Sequence, residues 1–264
     1  MIEISATLIP DRVTMSAWTG HVPFAFSLIK MLSPKIFVEL GTHTGTSYFA
    51  FCQSVSAFKI STRCYAIDTW KGDEHAGLYG EEIFADVATY HDQHYTAFSR
   101  LLRMTFDDAL PHFSDASIDL LHIDGLHTYE AVRHDFENWL PKMSNRGVVL
   151  FHDINVRQGD FGVWKLWEEL SAEYPHLSFD HAHGLGVLAV GQEIPEKLYQ
   201  MLCEFRSSDG QHRIKTFFAR LGKLVEIEHR LGGLEKELAV LQLHSEGLES
   251  TLAQERDLRE KAQS

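Results

Sequence analysis

The segment Ile36-Phe37-Val38-Glu39-Leu40-Gly41-Thr42-His43-Thr44-Gly45-Thr46-Ser47 constrains this chain more than any other. An apolar run bounded by turn residues is the pattern of a strand buried in a parallel sheet. It ends in Glu39-x-Gly41-x-x-x-Gly45. The next stretch, Ser47-Tyr48-Phe49-Ala50-Phe51-Cys52, reads as the opening of a packed helix. Strand, glycine turn and helix in that order leave free N–H groups and a positive dipole end at the helix start. Glycine also lets a ligand approach the backbone closely. A tight turn without a ligand has the same pattern, so the rest of the chain must decide.

At 264 residues, 44% hydrophobic, the chain suits one α/β domain with a sizeable core and an appendage. A net charge of −13 without a cluster of Lys and Arg excludes nucleic acid and anionic membranes as expected partners. Cys52, Cys64 and Cys203 are scattered singly, the usage of a reduced, cytoplasmic protein. No leader pattern opens the sequence, and no stretch reaches the roughly 18 apolar residues of a membrane helix. The 16 histidines concentrate in the middle of the chain, with the other acid–base candidates.

Residues 1–20 read as an irregular extension broken by Pro10 and Gly20. A helix starting at Pro23 ends at Ser33-Pro34, and the first strand follows. After the helix at 46–56, Arg63 to Asp68 reads as a second strand. Leu101 to Met104 is a weak third, Ser117 to Asp124 a fourth, and Gly147 to Asp153 a fifth. Leu177 to Asp180 and Gly186 to Gly191 form a final pair. Helices are expected at 81–95, 106–113, 129–140, 161–173 and 194–206. Strands alternating with helices predict a doubly wound α/β sheet over 21–206. Ligands bind such sheets outside the carboxyl ends of the strands, where Glu39, Asp68, Asp124 and Asp153 all fall. Asp107 and Asp108 instead read as caps of a short helix.

Residues 207–264 differ. Leu224, Leu231, Leu238 and Leu252 share one heptad position, with Ser245 and Arg259 in the gaps. Ile227, Leu234, Leu241 and Leu248 share the other. The pattern predicts a linker and a coiled coil of about four heptads, hence a homo-oligomer or a spacer to a further domain. Gly232-Gly233 weakens it locally.

The turn after the first strand suits a dinucleotide or S-adenosylmethionine. A dinucleotide site wants Gly-x-Gly-x-x-Gly, and His43 stands where its second glycine should be. Glu39 would also repel a pyrophosphate, whereas an acid suits a cofactor with an amino group and a sulfonium. Asp68 is placed to hold ribose hydroxyls in either case. Taken together, Glu39-x-Gly41-x-x-x-Gly45, Ile67-Asp68-Thr69-Trp70-Lys71-Gly72-Asp73, Ile123-Asp124-Gly125-x-His127-x-Tyr129-Glu130 and Phe151-His152-Asp153 resemble class I S-adenosylmethionine-dependent methyltransferases. The nearest group is that of macrocin-type sugar O-methyltransferases and cephalosporin-hydroxylase-like proteins. The likeness spans about residues 18–191 and implies a mostly parallel seven-stranded Rossmann-like sheet.

The same resemblance implies that Glu39, Gly41, Thr42, Gly45 and Ser47 hold the methionine end of the cofactor and Asp68 its ribose. Thr105 and Phe106 would border the adenine. Similar modules sit beside glycosyltransferases in bacterial polysaccharide biosynthesis, which implies a glycan or glycosylated acceptor and a glycosyltransferase as partner or fused domain. Asp124, Asp153 and Asn155 form a hard-oxygen set suited to Mg²⁺, although His152 stands where some relatives carry a second acid.

Methyl transfer to a hydroxyl needs help in removing its proton. His127 is the first candidate base and His152 the second, beside Asp124; His21 and His75 are placed at the mouth of the site. Trp70, Lys71 and Tyr79 in the 69–80 loop are candidates to fold over an acceptor. Trp18, Trp164 and Trp167 read as core or interface residues, and His181-Ala182-His183 as a structural pair on a strand. The rival functions are a nicotinamide-dependent oxidoreductase and a non-catalytic coiled-coil scaffold carrying a degenerate methyltransferase domain. The four retained acids argue against the second.

Overall fold

The computed structural model describes residues 8–75 and 77–263. Residues 1–7 of the expected extension, Ala76 of the 69–80 loop, Ser264 and the side chain of Arg259 in the heptad series lie outside the described part.

Along the first strand successive side chains point to opposite faces. Phe37 enters one core and Val38 the other, and the sheet is buried on both sides. β1 (Ile36–Leu40), β2 (Arg63–Asp68), β5 (Ser99–Arg103), β6 (Ile118–Ile123), β7 (Met143–His152), β8 (His176–Phe179) and β9 (Leu185–Ala189) form one seven-stranded sheet in the order β5-β2-β1-β6-β7-β9-β8. β9 pairs antiparallel with both neighbours, and the other pairs are parallel. The short β3 (Gly72–Asp73) and β4 (Gly77–Leu78) form a separate hairpin inside the long loop after β2.

Helices α1 (Val22–Leu32), α2 (Thr46–Ala57), α3 (Glu81–His94) and α7 (Glu196–Phe205) contribute to the core on one face of the sheet. The short α4 (Phe106–Ala109), α5 (Tyr129–Trp139) and α6 (Val163–Glu173) pack on the other. The strand order reverses between β1 and β6, the switch point at which ligands bind such sheets.

Most expected elements form within a few residues of their predicted bounds. β7 starts earlier than expected, at Met143, because a register shift lets its first residues pair with Ile118. The 106–113 helix splits into α4 and a 3₁₀ turn over Leu110–His112, with Pro111 inside that turn. Thr105, not Asp107 or Asp108, is the N-cap of α4: its hydroxyl accepts from the Asp108 N–H at 3.1 Å.

The tail is one helix, α8 (Ser208–Gln263). The compact domain continues into it as far as Val225, and the residues from Glu226 form a separate unit. Ile214, Phe218 and Val225 are buried, with Phe218 set edge-on to Phe24 and Phe179. A boundary at residue 206 would cut through this packing. The end of the expected extension also packs into the domain, where Trp18 is 3% exposed. Beyond Val225, Ile227, Leu231, Leu234, Leu238, Leu241 and Leu248 are exposed along the helix, and no second strand of a coiled coil is shown.

Ending the chain after Arg206 should therefore destabilise the domain far more than ending it after Val225. Within the full chain, Phe218→Ala should cost roughly 3–5 kcal/mol. Thermal melting of the three proteins checks both expectations.

Candidate active site

The backbone of the first turn explains its glycines. Gly41 and Gly45 have φ of 87° and 82°, the left-handed region in which a side chain is strained. A Cβ on Gly41 would lie 2.1 Å from the Asp124 carbonyl oxygen, and one on Gly45 would strike the Phe49 ring. Both glycines are thus required by the protein's own packing. His43 also adopts a left-handed conformation, at φ 48°, and stacks on Tyr79 at 4.7 Å.

Asp68 ties this turn to β2. Its Oδ2 accepts from the N–H groups of Thr42 and His43, both at 2.9 Å, and its Oδ1 accepts from the N–H of Trp70 at 2.7 Å. The carboxylate expected on ribose faces the cavity while it caps the loop. Trp70 does not lie over an acceptor. It is buried against Phe84, and its indole N–H donates to the His43 carbonyl at 2.9 Å.

Glu39 lies fully buried at the end of β1, with Ser47 beside it. Register places it opposite His122 on β6. The Trp18 indole N–H, which can only donate, reaches His122 Nε2 at 3.0 Å. That contact fixes the tautomer: His122 Nδ1 carries the proton and donates to Glu39 Oε2 at 2.8 Å. Glu39 Oε1 has no hydrogen-bond partner among the described residues. Burial raises the Glu39 pKa, with His122 opposing.

Register also brings the later acids together. Ile123 pairs with Phe151, so Asp124 and His152 leave their strands side by side. His152 Nδ1 lies 3.3 Å from Asp124 Oδ1 and 3.2 Å from Asp153 Oδ2. His127 Nε2 lies 2.9 Å from Asp153 Oδ2 and 3.6 Å from Asp124 Oδ1. His183 Nδ1 meets Asp153 Oδ1 at 3.0 Å. Asp153 holds a left-handed φ of 60° at the centre of this group. Burial works against charge on the two imidazoles, but Asp124 and Asp153 prevail and push His127 up to about 9 and His152 up to about 10. Burial would likewise raise both carboxyls, and the imidazoles outweigh it and hold them well below the usual carboxylate range.

Other expected residues are placed elsewhere. Asn155 is exposed, and its amide N–H donates to the Asp180 carbonyl at 3.2 Å. His152 stands in its place beside the two acids. His21 is buried behind the site rather than at its mouth, and burial lowers its pKa, with His152 adding to the effect. His181 and His183 lie in a turn, not on a strand. His75 stacks on Phe161, which in turn stacks on His127.

Between the turn and the acid–histidine group lies a cavity of about 590 Å³, within the usual range for small-molecule sites. Gly41, Thr42, Ser47 and Asp68 line one part, and Asp124, His127, His152 and Asp153 another. Thr105, Phe106 and Asp135 complete the wall. Of its lining, the buried atoms Ser16 Oγ and Thr42 Oγ1 have no hydrogen-bond partner among the described residues, as expected of polar groups that meet a ligand.

Sequence patterns did not point to Trp18, His122, His183 or Asp135 as site residues. Asp135, on the buried face of α5, has its pKa pushed up to about 7. Burial is the main cause; His134 opposes it and Asp107 adds to it. An acid whose folded value exceeds its unfolded one of about 4 favours the folded state at low pH, and that contribution is lost as pH rises from about 4 through 7. Asp135→Asn cannot ionise. It should leave stability near pH 4 little changed and raise it at pH 8 by roughly 1–3 kcal/mol, measured by denaturant unfolding.

Residues 38–154 match the family model described as "Methyltransferase domain". The chain is 47% identical over 243 residues to the uncharacterized protein y4gI of Sinorhizobium fredii, covering 91% of this chain but only 27% of that protein. Thus the chain spans about a quarter of its curated relative. A structure described as a caffeoyl-CoA O-methyltransferase from Staphylococcus aureus superposes with a TM-score of 0.51 at 17% identity, covering 69% of this chain and 86% of that one. The S-adenosylhomocysteine-bound methyltransferase PaMTH1 of Podospora anserina gives 0.50 at 14% identity, covering 71% and 85%. The sheet order, the matched residues 38–154 and these superpositions give the chain the Rossmann-like fold of class I methyltransferases.

Proposed function

We propose that this chain is an S-adenosylmethionine-dependent O-methyltransferase whose acceptor is a sugar hydroxyl of a glycan or glycosylated metabolite. One observation carries the proposal: a single cavity joins the Gly41–Gly45 turn and the Asp124–His127–Asp153 group, so a methyl donor and a hydroxyl could meet in it.

The donor's chemistry fits the residues present. Its ammonium and sulfonium are cationic, and the wall offers the Asp68 and Asp124 carboxylates above the buried Glu39. Thr42 and Ser16 have hydroxyls without partners among the described residues. Glu39 acts from beneath the floor, held in place through His122 and Trp18. Phe106 supplies an aromatic wall for the adenine. When bound, the cofactor supplies an electrophilic methyl group. The protein has to bring the acceptor oxygen in line with it and keep water out, and such alignment contributes much of the rate.

His127 is the proposed base. Its Nε2 is held by Asp153, and its Nδ1 is buried with no partner among the described residues. Against burial, Asp124 and Asp153 push its pKa up to about 9, so it acts as a base in its neutral form and turnover should rise with pH toward about 9. The same acids stabilise the imidazolium that forms when it takes the proton. The oxygen set expected for Mg²⁺ does not fit, since Asn155 faces away and an imidazole nitrogen takes the third place; no step of this mechanism passes through Mg²⁺. The stacked faces of Tyr79 and His43 suit a sugar ring at the mouth of the cavity.

The exposed leucine seam from Leu231 to Leu248 supports a homo-oligomer through a coiled coil with a second copy of the chain. A glycosyltransferase, as partner or fused domain, would supply the acceptor. No helix among the described residues is long and apolar enough to cross a membrane, and the cysteines are unpaired, which supports a cytoplasmic setting.

Calorimetry with S-adenosylhomocysteine tests the core of the proposal. Intact protein should bind it, and Glu39→Gln should weaken binding tenfold or more, about 1.4 kcal/mol. His127→Ala should abolish turnover with affinity for S-adenosylhomocysteine nearly intact. No binding by intact protein, or full turnover by the histidine variant, would remove the corresponding assignment. The seam has its own check: Leu234→Lys with Leu241→Lys should lower the mass seen by sedimentation equilibrium without changing the melting of the domain.

A further inference from the structure

The donors at the ends of β6 and β7 differ from an all-oxygen set. We propose that Asp124, His152 and Asp153 bind a first-row transition dication of borderline softness, such as Fe²⁺, Co²⁺ or Zn²⁺, in preference to Mg²⁺. The site lies in the cavity assigned above to methyl transfer, so the proposal rests on that assignment for its role but not for its chemistry.

Two of the three donor separations already match those of a shared ion, and the third lies within reach of one. One donor atom from each of the three residues lies within 4.8 Å of the others. His152 Nδ1 stands 3.3 Å from Asp124 Oδ1 and 3.2 Å from Asp153 Oδ2. Donors that share an ion about 2.1 Å away are themselves separated by roughly 3.0–3.5 Å in tetrahedral or octahedral arrangements. His127 Nε2, 2.9 Å from Asp153 Oδ2, borders the group as a second imidazole that orients Asp153.

The surroundings match those of a ligating histidine. Its second ring nitrogen normally donates to a carbonyl or carboxylate, which turns the other lone pair toward the ion. His152 Nε2 does this with the Ala182 carbonyl at 3.2 Å. Ligating carboxylates are likewise oriented by outer partners, and Asp153 Oδ1 receives His183 Nδ1 at 3.0 Å. The group is enclosed, with His152 4% and Asp153 6% exposed, yet it opens onto the cavity.

The nitrogen decides the metal. Mg²⁺ keeps an octahedron of oxygens and dehydrates reluctantly, whereas imidazole suits the later first-row ions. The amide oxygen that would have completed a hard set belongs to Asn155, and that side chain faces Asp180. Two carboxylates with an imidazole therefore select against Mg²⁺.

The test uses the full chain, stripped with EDTA and dialysed against Mn²⁺, Co²⁺, Zn²⁺ or Mg²⁺, with bound metal measured by elemental analysis. Co²⁺ also reports on its ligands through its visible d–d bands. Co²⁺ and Zn²⁺ should each bind in a one-to-one ratio at least tenfold more tightly than Mg²⁺. His152→Ala should weaken Co²⁺ at least tenfold and shift or bleach its bands. His152→Asp, which restores an all-oxygen set, should narrow the preference over Mg²⁺. Calorimetry with S-adenosylhomocysteine on the same samples confirms that each variant is folded. Mg²⁺ binding as tight as Zn²⁺ or Co²⁺ overturns the proposal. So does Co²⁺ binding indifferent to His152→Ala, or no metal held by protein that binds S-adenosylhomocysteine. Metal binding with that preference in protein that does not bind S-adenosylhomocysteine would support the metal site and remove the cofactor assignment instead.

Discussion

The close passage of Gly41 over the Asp124 backbone sets the geometry of everything at this edge of the sheet. With any other residue, a Cβ would stand 2.1 Å from the Asp124 carbonyl oxygen. Without that atom, the Gly41 N–H reaches the Ile67 carbonyl at 3.0 Å and the Asp124 N–H reaches the Leu40 carbonyl at 2.8 Å. Three strand ends are thereby stitched together before any side chain takes part. Asp68 then gathers the next amides of the same turn, and the cavity is what remains between the turn and the ends of β6 and β7. A ligand bound there meets a wall whose polar groups are mostly fixed by the protein itself, the form of preorganisation that lowers the cost of binding.

Much of this fold was legible in the chain, for physical reasons. Parallel strands covered on both faces leave near-continuous apolar runs, and those at β1, β2, β6 and β7 were found with their terminal acids. The glycine turn announced itself because left-handed backbone and close approach leave few other residues possible. What stayed hidden depends on pairs far apart in sequence. Trp18 and His122 are separated by 104 positions, and nothing in either neighbourhood signals that the indole selects a tautomer. Trp70 has the look of a sugar-stacking residue, but its indole fills a core gap beside Phe84. Asn155 has the right chemistry at the right spacing, yet the turn at 181–184 draws its amide outward to Asp180. Spacing along a strand says which end a residue occupies; only the folded backbone says which way a loop residue faces.

The site is also a lesson in charge balance. Two carboxylates within reach of one imidazole nitrogen, Asp153 buried and Asp124 half-buried, are costly unless cations accompany them. Here His127, His152 and His183 surround Asp153, and the mutual shifts of the first two and the acids show how strongly the group is coupled. The same crowding that makes the group a good place for a positive ion makes each member expensive to remove alone, so effects of single substitutions should not add.

The carbonyl of Ala182 has a quieter consequence. It accepts from His21 Nε2 and His152 Nε2, each at 3.2 Å, and a carbonyl oxygen has two lone pairs. Both are taken, so this carbonyl offers nothing further to solvent or substrate. Ala182 and its neighbours His183 and Gly184 are all left-handed, which makes the crest of that turn resistant to sliding. Behind the acid–histidine group, then, stands a carbonyl with its acceptor capacity already spent, and a ligand in the cavity has to find its acceptors elsewhere along the wall.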